Sequence, residues 1–330
     1  EKVKKVLSQI FPIEAERRLY LILLPTGLIG RTLQNFILAN GRGRNGKGCI
    51  NDLMMATVGN YGYLLSSSSL QNQVKSGPNP ELANLHNKRF VVAREPDDSK
   101  NLNSGTLKEL TGGREICARL NHSNITKILL KLSLFFECNN RPKLSGNITG
   151  NALLDRIINI LFRAYFTEDS SLWNDAEYVY KSDKYFTSDE FYKEHRCAFF
   201  KILSEYAYEY ICNGQEIKRY IPKQIQQMSE EYVLTSNEVY SWFNENYKFV
   251  ETTDTSVFVS MKDVFNGFKR TETYINLSKE DKRNLTDDKF REILVSDRKV
   301  ARNYRDIHHY NENDIRKYAR TILLNYSKMI

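Results

Sequence analysis

The residues of this chain best suited to chemistry are Gly41-Arg42-Gly43-Arg44-Asn45-Gly46-Lys47-Gly48. Glycine accepts turn geometry that a Cβ forbids, so successive N–H groups can face one anion. Lys47 adds the positive charge expected near the β- and γ-phosphates of a nucleotide. The run reads as a phosphate-binding loop, with all eight residues as candidate nucleotide contacts. It departs once from the pattern G-x-x-x-x-G-K-[ST], because Gly48 stands where a hydroxyl would meet magnesium. Either a water replaces that hydroxyl or hydrolysis is weak.

Two further groups follow in order. The apolar run 90–93 leads into Arg94-Glu95-Pro96-Asp97-Asp98. A strand ending in a carboxylate is what phosphoryl transfer needs to hold magnesium and orient water, which makes Glu95 the candidate catalytic and metal residue. Asp97 and Asp98 either assist it or begin a polar loop. A second apolar run, 134–136, leads into Glu137-Cys138-Asn139-Asn140-Arg141-Pro142. There Asn139 would hold the attacking water beside the γ-phosphate. By itself this would read as a turn; its place as third in an ordered series is what recommends it.

The elements that must position these groups follow from periodicity. Strands are expected at 36–39, 90–93, 132–137 and 157–161, alternating with helices and loops as in an α/β core. A helix over 49–58 would set its N-terminus, with its partial positive charge, against the bound anion. Residues 1–34 read as a helical collar, 35–168 as the core, 169–235 as a helical extension whose aromatic residues pack a core, and 236–330 as mixed helix and strand.

The chain has 330 residues, 41% of them hydrophobic, enough for more than one core. Its net charge of +8 favours polyanionic partners. Cys49, Cys117, Cys138, Cys197 and Cys212 form no C-x-x-C pair, which argues against a zinc site or a disulfide framework and for a reducing compartment. No apolar run approaches the roughly 20 residues that span a bilayer, so no membrane partner is expected. Because the chain begins at Glu1, we expect it to be a piece of a longer protein.

Taken together, these words resemble the superfamily 3 helicases, and most closely the helicase-primases of large DNA viruses, the poxvirus group among them. The resemblance is carried by the loop 41–48, Gly77-Pro78-Asn79-Pro80, Ala83-Asn84-Leu85-His86-Asn87-Lys88-Arg89, Glu95, Leu107-Lys108-Glu109-Leu110-Thr111-Gly112-Gly113, Asn139-Asn140-Arg141-Pro142 and Asn151-Ala152-Leu153-Leu154-Asp155-Arg156-Ile157, over about residues 35–166. It implies an AAA+ type P-loop NTPase core using ATP or another NTP with Mg2+, assembled as a homo-oligomer, a hexameric ring, around single-stranded DNA at a fork. Lys47 would contact phosphate, Glu95 the metal and water, and Asn139 would be the polar sensor. Arg156 would be a finger reaching the neighbouring subunit's γ-phosphate, its bland alternative being an ion pair within the chain. A hairpin between Gly113 and Leu132 would point into the channel, with Arg119, His122 and Lys127 on DNA. A primase domain upstream and a viral replication site in the host cytoplasm are implied as well. Departures are Gly48, Arg94 in place of a small polar residue, and Asp155 where a second arginine is frequent.

The C-terminal segment suggests a winged-helix module. Thr286 would cap a helix over 289–294, and Lys262, Lys269, Arg270, Lys289, Arg291, Arg298, Lys299, Arg302 and Arg305 would supply a basic face for DNA or merely for solvent. The expected function is an ATP-driven replicative DNA helicase. The rivals are a catalytically weak nucleotide- and DNA-binding platform or helicase loader, and a P-loop kinase for a small substrate.

Overall fold

The computed structural model describes the chain except residues 75–78, 95, 97–98, 114, 119–125, 147–150, 255, 313–314 and 330. Two compact units divide it: Glu1–Asn147 with Asp155–Glu230, and Ile148–Leu154 with Glu231–Ile330.

The first unit begins with helices α1 (Lys2–Ile10) and α2 (Glu14–Leu23). In α1, Val3, Val6, Leu7 and Ile10 lie on one buried face, as their spacing dictates. Strand β1 (Phe36–Asn40) delivers the glycine-rich loop to α3 (Lys47–Val58). There follow β2 (Gly62–Ser66), β3 (Phe90–Arg94), α4 (Ser104–Leu110), β4 (Glu115–Ala118), β5 (Thr126–Leu129), β6 (Ser133–Cys138), β7 (Ile157–Leu161), α5 (Asp189–Cys212) and α6 (Lys223–Thr235), whose last residues, from Glu231, belong to the second unit.

Five of these strands form one parallel sheet in the order β2-β3-β6-β1-β7. Every residue of β1 and β6 is buried. Burial on both faces explains why those strands read as unbroken apolar runs rather than alternating ones. Helices α1, α2, α3 and α5 contribute Ile10, Tyr20, Ile50, Leu53 and Phe199 to the core beside Ile37 and Phe135. From β1 the chain passes to β2 at one edge and later to β7 on β1's other side, so the carboxyl end of β1 is a topological switch point, where open α/β sheets bind ligands.

The four expected strands are present with ends shifted by at most one residue, and α3 starts at Lys47 rather than 49. Strand β2 was not expected. It is an edge strand with Leu64 exposed, so neither an apolar run nor clean alternation marks it. Strands β4 and β5 pair antiparallel, Ala118 with Thr126 and Glu115 with Leu129, as the arms of the expected hairpin.

In the second unit α7 (Glu238–Asn246), β8 (Tyr247–Phe249), β9 (Phe258–Ser260), α8 (Met261–Phe268), α9 (Asp287–Val295), α10 (Arg298–Asn303), β10 (Tyr304–Glu312), β11 (Ile315–Leu324) and β12 (Tyr326–Lys328) follow in order. Strands β9, β11 and β10 make an antiparallel sheet in that order, and β8 pairs with β12. Phe243, Phe265, Phe268, Phe290 and Leu294 form its core. Thr286 caps α9, its hydroxyl accepting the Lys289 N–H at 3.3 Å.

Candidate nucleotide site

Two glycines of the loop are required by its shape. Gly41 has φ +139°, and a Cβ there would lie 2.6 Å from the Phe162 carbonyl oxygen. Gly46 has φ +86°, and its Cβ would lie 2.5 Å from Ile10. The other two are not required in this way: neither Gly43 nor Gly48 has positive φ, and Gly48 leaves a Cβ 3.8 Å from the nearest atom, Asp52 Oδ2. Gly46, the N-cap of α3, has no side chain to accept from that helix, so its first-turn N–H groups beyond that of Lys47 face the loop without a cap from Gly46.

Lys47 is 7% exposed. Its ammonium donates to the Gly41 carbonyl at 2.5 Å and to Asn139 Oδ1 at 3.3 Å. Burial holds the ammonium below its usual range, while Cys138 and Glu137 pull the other way. The meeting with Asn139 follows from β1 and β6 being neighbours in register, Asn40 against Cys138, so both chains leave the sheet at the same end. Asn45, 2% exposed, accepts the Lys47 N–H at 3.2 Å through Oδ1. Its Nδ2 has no partner among the described residues. A buried donor left in that state costs about 1–3 kcal/mol. Arg42 lies over the Tyr165 ring, 4.2 Å from its centroid.

Behind the loop runs a charged network that motif reading missed. Arg94 Nη1 meets Asp52 Oδ1 at 2.7 Å, and Arg94 Nε donates to Glu137 Oε1 at 2.9 Å. The Asn51 amide donates to the same Glu137 oxygen at 2.7 Å and accepts from the Tyr20 hydroxyl at 2.9 Å. Burial pushes the Glu137 carboxyl up, with Arg94 and Asn51 offsetting part of the rise. The network ties α2, α3, β3 and the strand that carries Asn139. The one signal in the sequence was the arginine at 94 in place of a small polar residue.

Arg156 sits at the opposite end of the sheet. Its carbonyl accepts the Phe36 N–H at 2.8 Å, and β1 then runs roughly 13 Å before the loop begins. Its guanidinium donates to the Lys108 carbonyl at 2.9 Å and to Thr111 Oγ1 at 3.0 Å, so these partners among the described residues are neutral. Asp155 pairs with Lys218 at 2.8 Å, both largely exposed. Lys127 is exposed on β5, opposite Cys117. Glu95, Asp97, Asp98, Arg119 and His122 lie outside the described residues, as do Gly77 and Pro78. Among the described residues no group of three His, Cys, Asp or Glu side chains could hold a metal ion, and no helix is long and apolar enough to cross a membrane.

No family model matches the chain. It is 28% identical over 190 residues to "Putative helicase 022R" of Frog virus 3 (isolate Goorha), covering 55% of this chain and 19% of that protein. It is 28% identical over 188 residues to "Primase D5" of Fowlpox virus (strain NVSL), covering 54% of this chain and 23% of that one. These matches span less than a quarter of either viral protein. Among solved structures, the apo C-terminal region of NrS-1 superposes with a TM-score of 0.47 at 15% identity, over 86% of this chain and 60% of that one. A likeness of that degree adds nothing to the topology read from the strand register.

Proposed function

We propose that this chain, a homologue of helicase and D5-type primase proteins of large DNA viruses, is the motor part of a replicative DNA helicase. In this reading it is an AAA+ type module that hydrolyses ATP or another NTP and assembles as a ring, a hexamer, on single-stranded DNA at a fork. A primase domain would precede it in the full protein, which would work at a viral replication site in the host cytoplasm.

One observation carries the reading. The Lys47 ammonium lies at the switch point of a parallel sheet, 3.3 Å from Asn139, at the mouth of a loop whose Asn45 amide has a buried donor to spare. A terminal phosphate oxygen would satisfy that donor, draw Lys47 off its own loop carbonyl and bring Asn139 beside the attacking water. The nucleotide therefore fits the residues present. Mg2+, when bound, would neutralise charge on the phosphates. Gly48 brings it no hydroxyl, so its protein ligand would come from Glu95. Arg156, a strand's length from its own loop, suits a role toward a neighbour's phosphate. Lys127 on the hairpin suits contact with DNA.

Gly48 also supports a second reading, a nucleotide- and DNA-binding platform with little turnover. The deciding experiment is magnesium-dependent ATP hydrolysis with and without single-stranded DNA, for the chain and its Lys47→Ala form. DNA-stimulated turnover that falls by roughly a hundredfold or more on losing Lys47 is the expected outcome. Tight nucleotide and DNA binding with no turnover in either form would replace the motor with the platform.

A further inference from the structure

A cavity of about 190 Å³ opens against the loop and shares Arg44 and Gly46 with it. Ile10 of α1, Phe166 and Phe186 give it apolar walls, and Gln9 and Asp183 bring polar groups. The contacts that shape the loop also build these walls. The Phe166 N–H donates to the Arg44 carbonyl at 2.8 Å, and Cys49 Sγ donates to the Phe186 carbonyl at 3.0 Å. Ile10 occupies the space beside Gly46 that a Cβ would need. Both phenylalanine rings are only half-buried, so ring surface remains for a ligand.

We infer that this cavity is the nucleobase subsite, an assignment that rests on the nucleotide reading above. Its volume is below the roughly 300 Å³ of sites for drug-sized ligands and suits one planar heterocycle. Such a heterocycle stacks on an aromatic side chain whatever its edge pattern, and needs polar groups only at its rim. Gln9 supplies there both an amide donor and a carbonyl acceptor, the pair that glutamine offers to a base edge. Asp183 already accepts the Tyr185 N–H at 2.9 Å and is exposed, whereas Gln9 is half-buried and brings the amide of the lining, beside the Ser182 and Thr187 hydroxyls. Continuity with the loop determines the occupant: a base seated here hangs from phosphates held a few residues away.

The test separates base from phosphate by titrating ATP and inorganic tripolyphosphate, each with Mg2+, against the wild-type chain and its Phe166→Ala, Phe186→Ala and Gln9→Ala forms in a calorimeter. The expected result is an ATP affinity lowered roughly five- to a hundredfold in the phenylalanine variants, with tripolyphosphate affinity within about twofold of wild type. Retained tripolyphosphate binding also reports an intact loop. Equal losses for both ligands, or no loss for ATP in any variant, would overturn the assignment. A wild-type chain that binds neither ligand would instead overturn the nucleotide reading on which it stands.

Discussion

Arg94 sits between Asp52 and Glu137, and the spacing of charges around it sets how the loop helix is held to the strand of Asn139. Removing the guanidinium would leave Glu137, whose side chain is 10% exposed, without its cation. We expect Arg94→Ala to cost about 2–3 kcal/mol in urea unfolding, below the range for a fully buried pair because Arg94 is itself a quarter exposed. Adding Glu137→Gln should recover part of that loss, since the stranded charge goes with it. The pH dependence has a definite sign. Because burial raises the Glu137 carboxyl above its ordinary 4.5, the folded state holds that proton more tightly than the unfolded chain does. Stability from this group is present below the ordinary value and is lost as pH rises through the raised one. The slope should steepen in Arg94→Ala and vanish in the double variant.

At the scale of elements, the loop and α3 act as one device. Gly41 and Gly46 take backbone conformations that a side chain would strain, and the N-terminus of α3 follows directly on Gly46. The paired strands β4 and β5 lie in the sequence between α4 and β6, apart from the loop and α3. If the hairpin contacts a single strand through Lys127, then Lys127→Ala should lower the slope of log affinity against log salt by about 0.7, one phosphate's worth. An unchanged slope in a filter-binding series would remove Lys127 from the interface.

At the scale of the whole molecule, the prediction concerns assembly. Arg156 and Lys47 lie at opposite ends of one sheet, so a γ-phosphate touched by both must lie between two copies. Lys47→Ala and Arg156→Ala chains should each lose turnover, the latter by roughly 10³ or more. Mixing them should restore a measurable fraction, because some interfaces then pair an intact Lys47 with an intact Arg156. A mixture as inactive as its parts would place Arg156 in a structural role, holding the Lys108 and Thr111 groups it bonds within the chain.

What the sequence determined by itself is the local chemistry. A glycine-rich loop after an apolar strand, Asn139 at the end of another, and the capped helix at Thr286 were legible because turn geometry, burial on both faces and capping are short-range requirements written in a few adjacent residues. Strand β2 escaped because an edge strand buries too little to leave a pattern. Only the tertiary structure decided that β6 lies beside β1, which brings Asn139 to Lys47, and that β7 starts at the far end from the loop, which takes Arg156 away from it. It also decided that Arg94 meets Asp52 and Glu137, and that α1 and two phenylalanines close a cavity against the loop. Those meetings join residues tens to more than a hundred positions apart. They depend on strand order and side-chain packing, which no local pattern encodes.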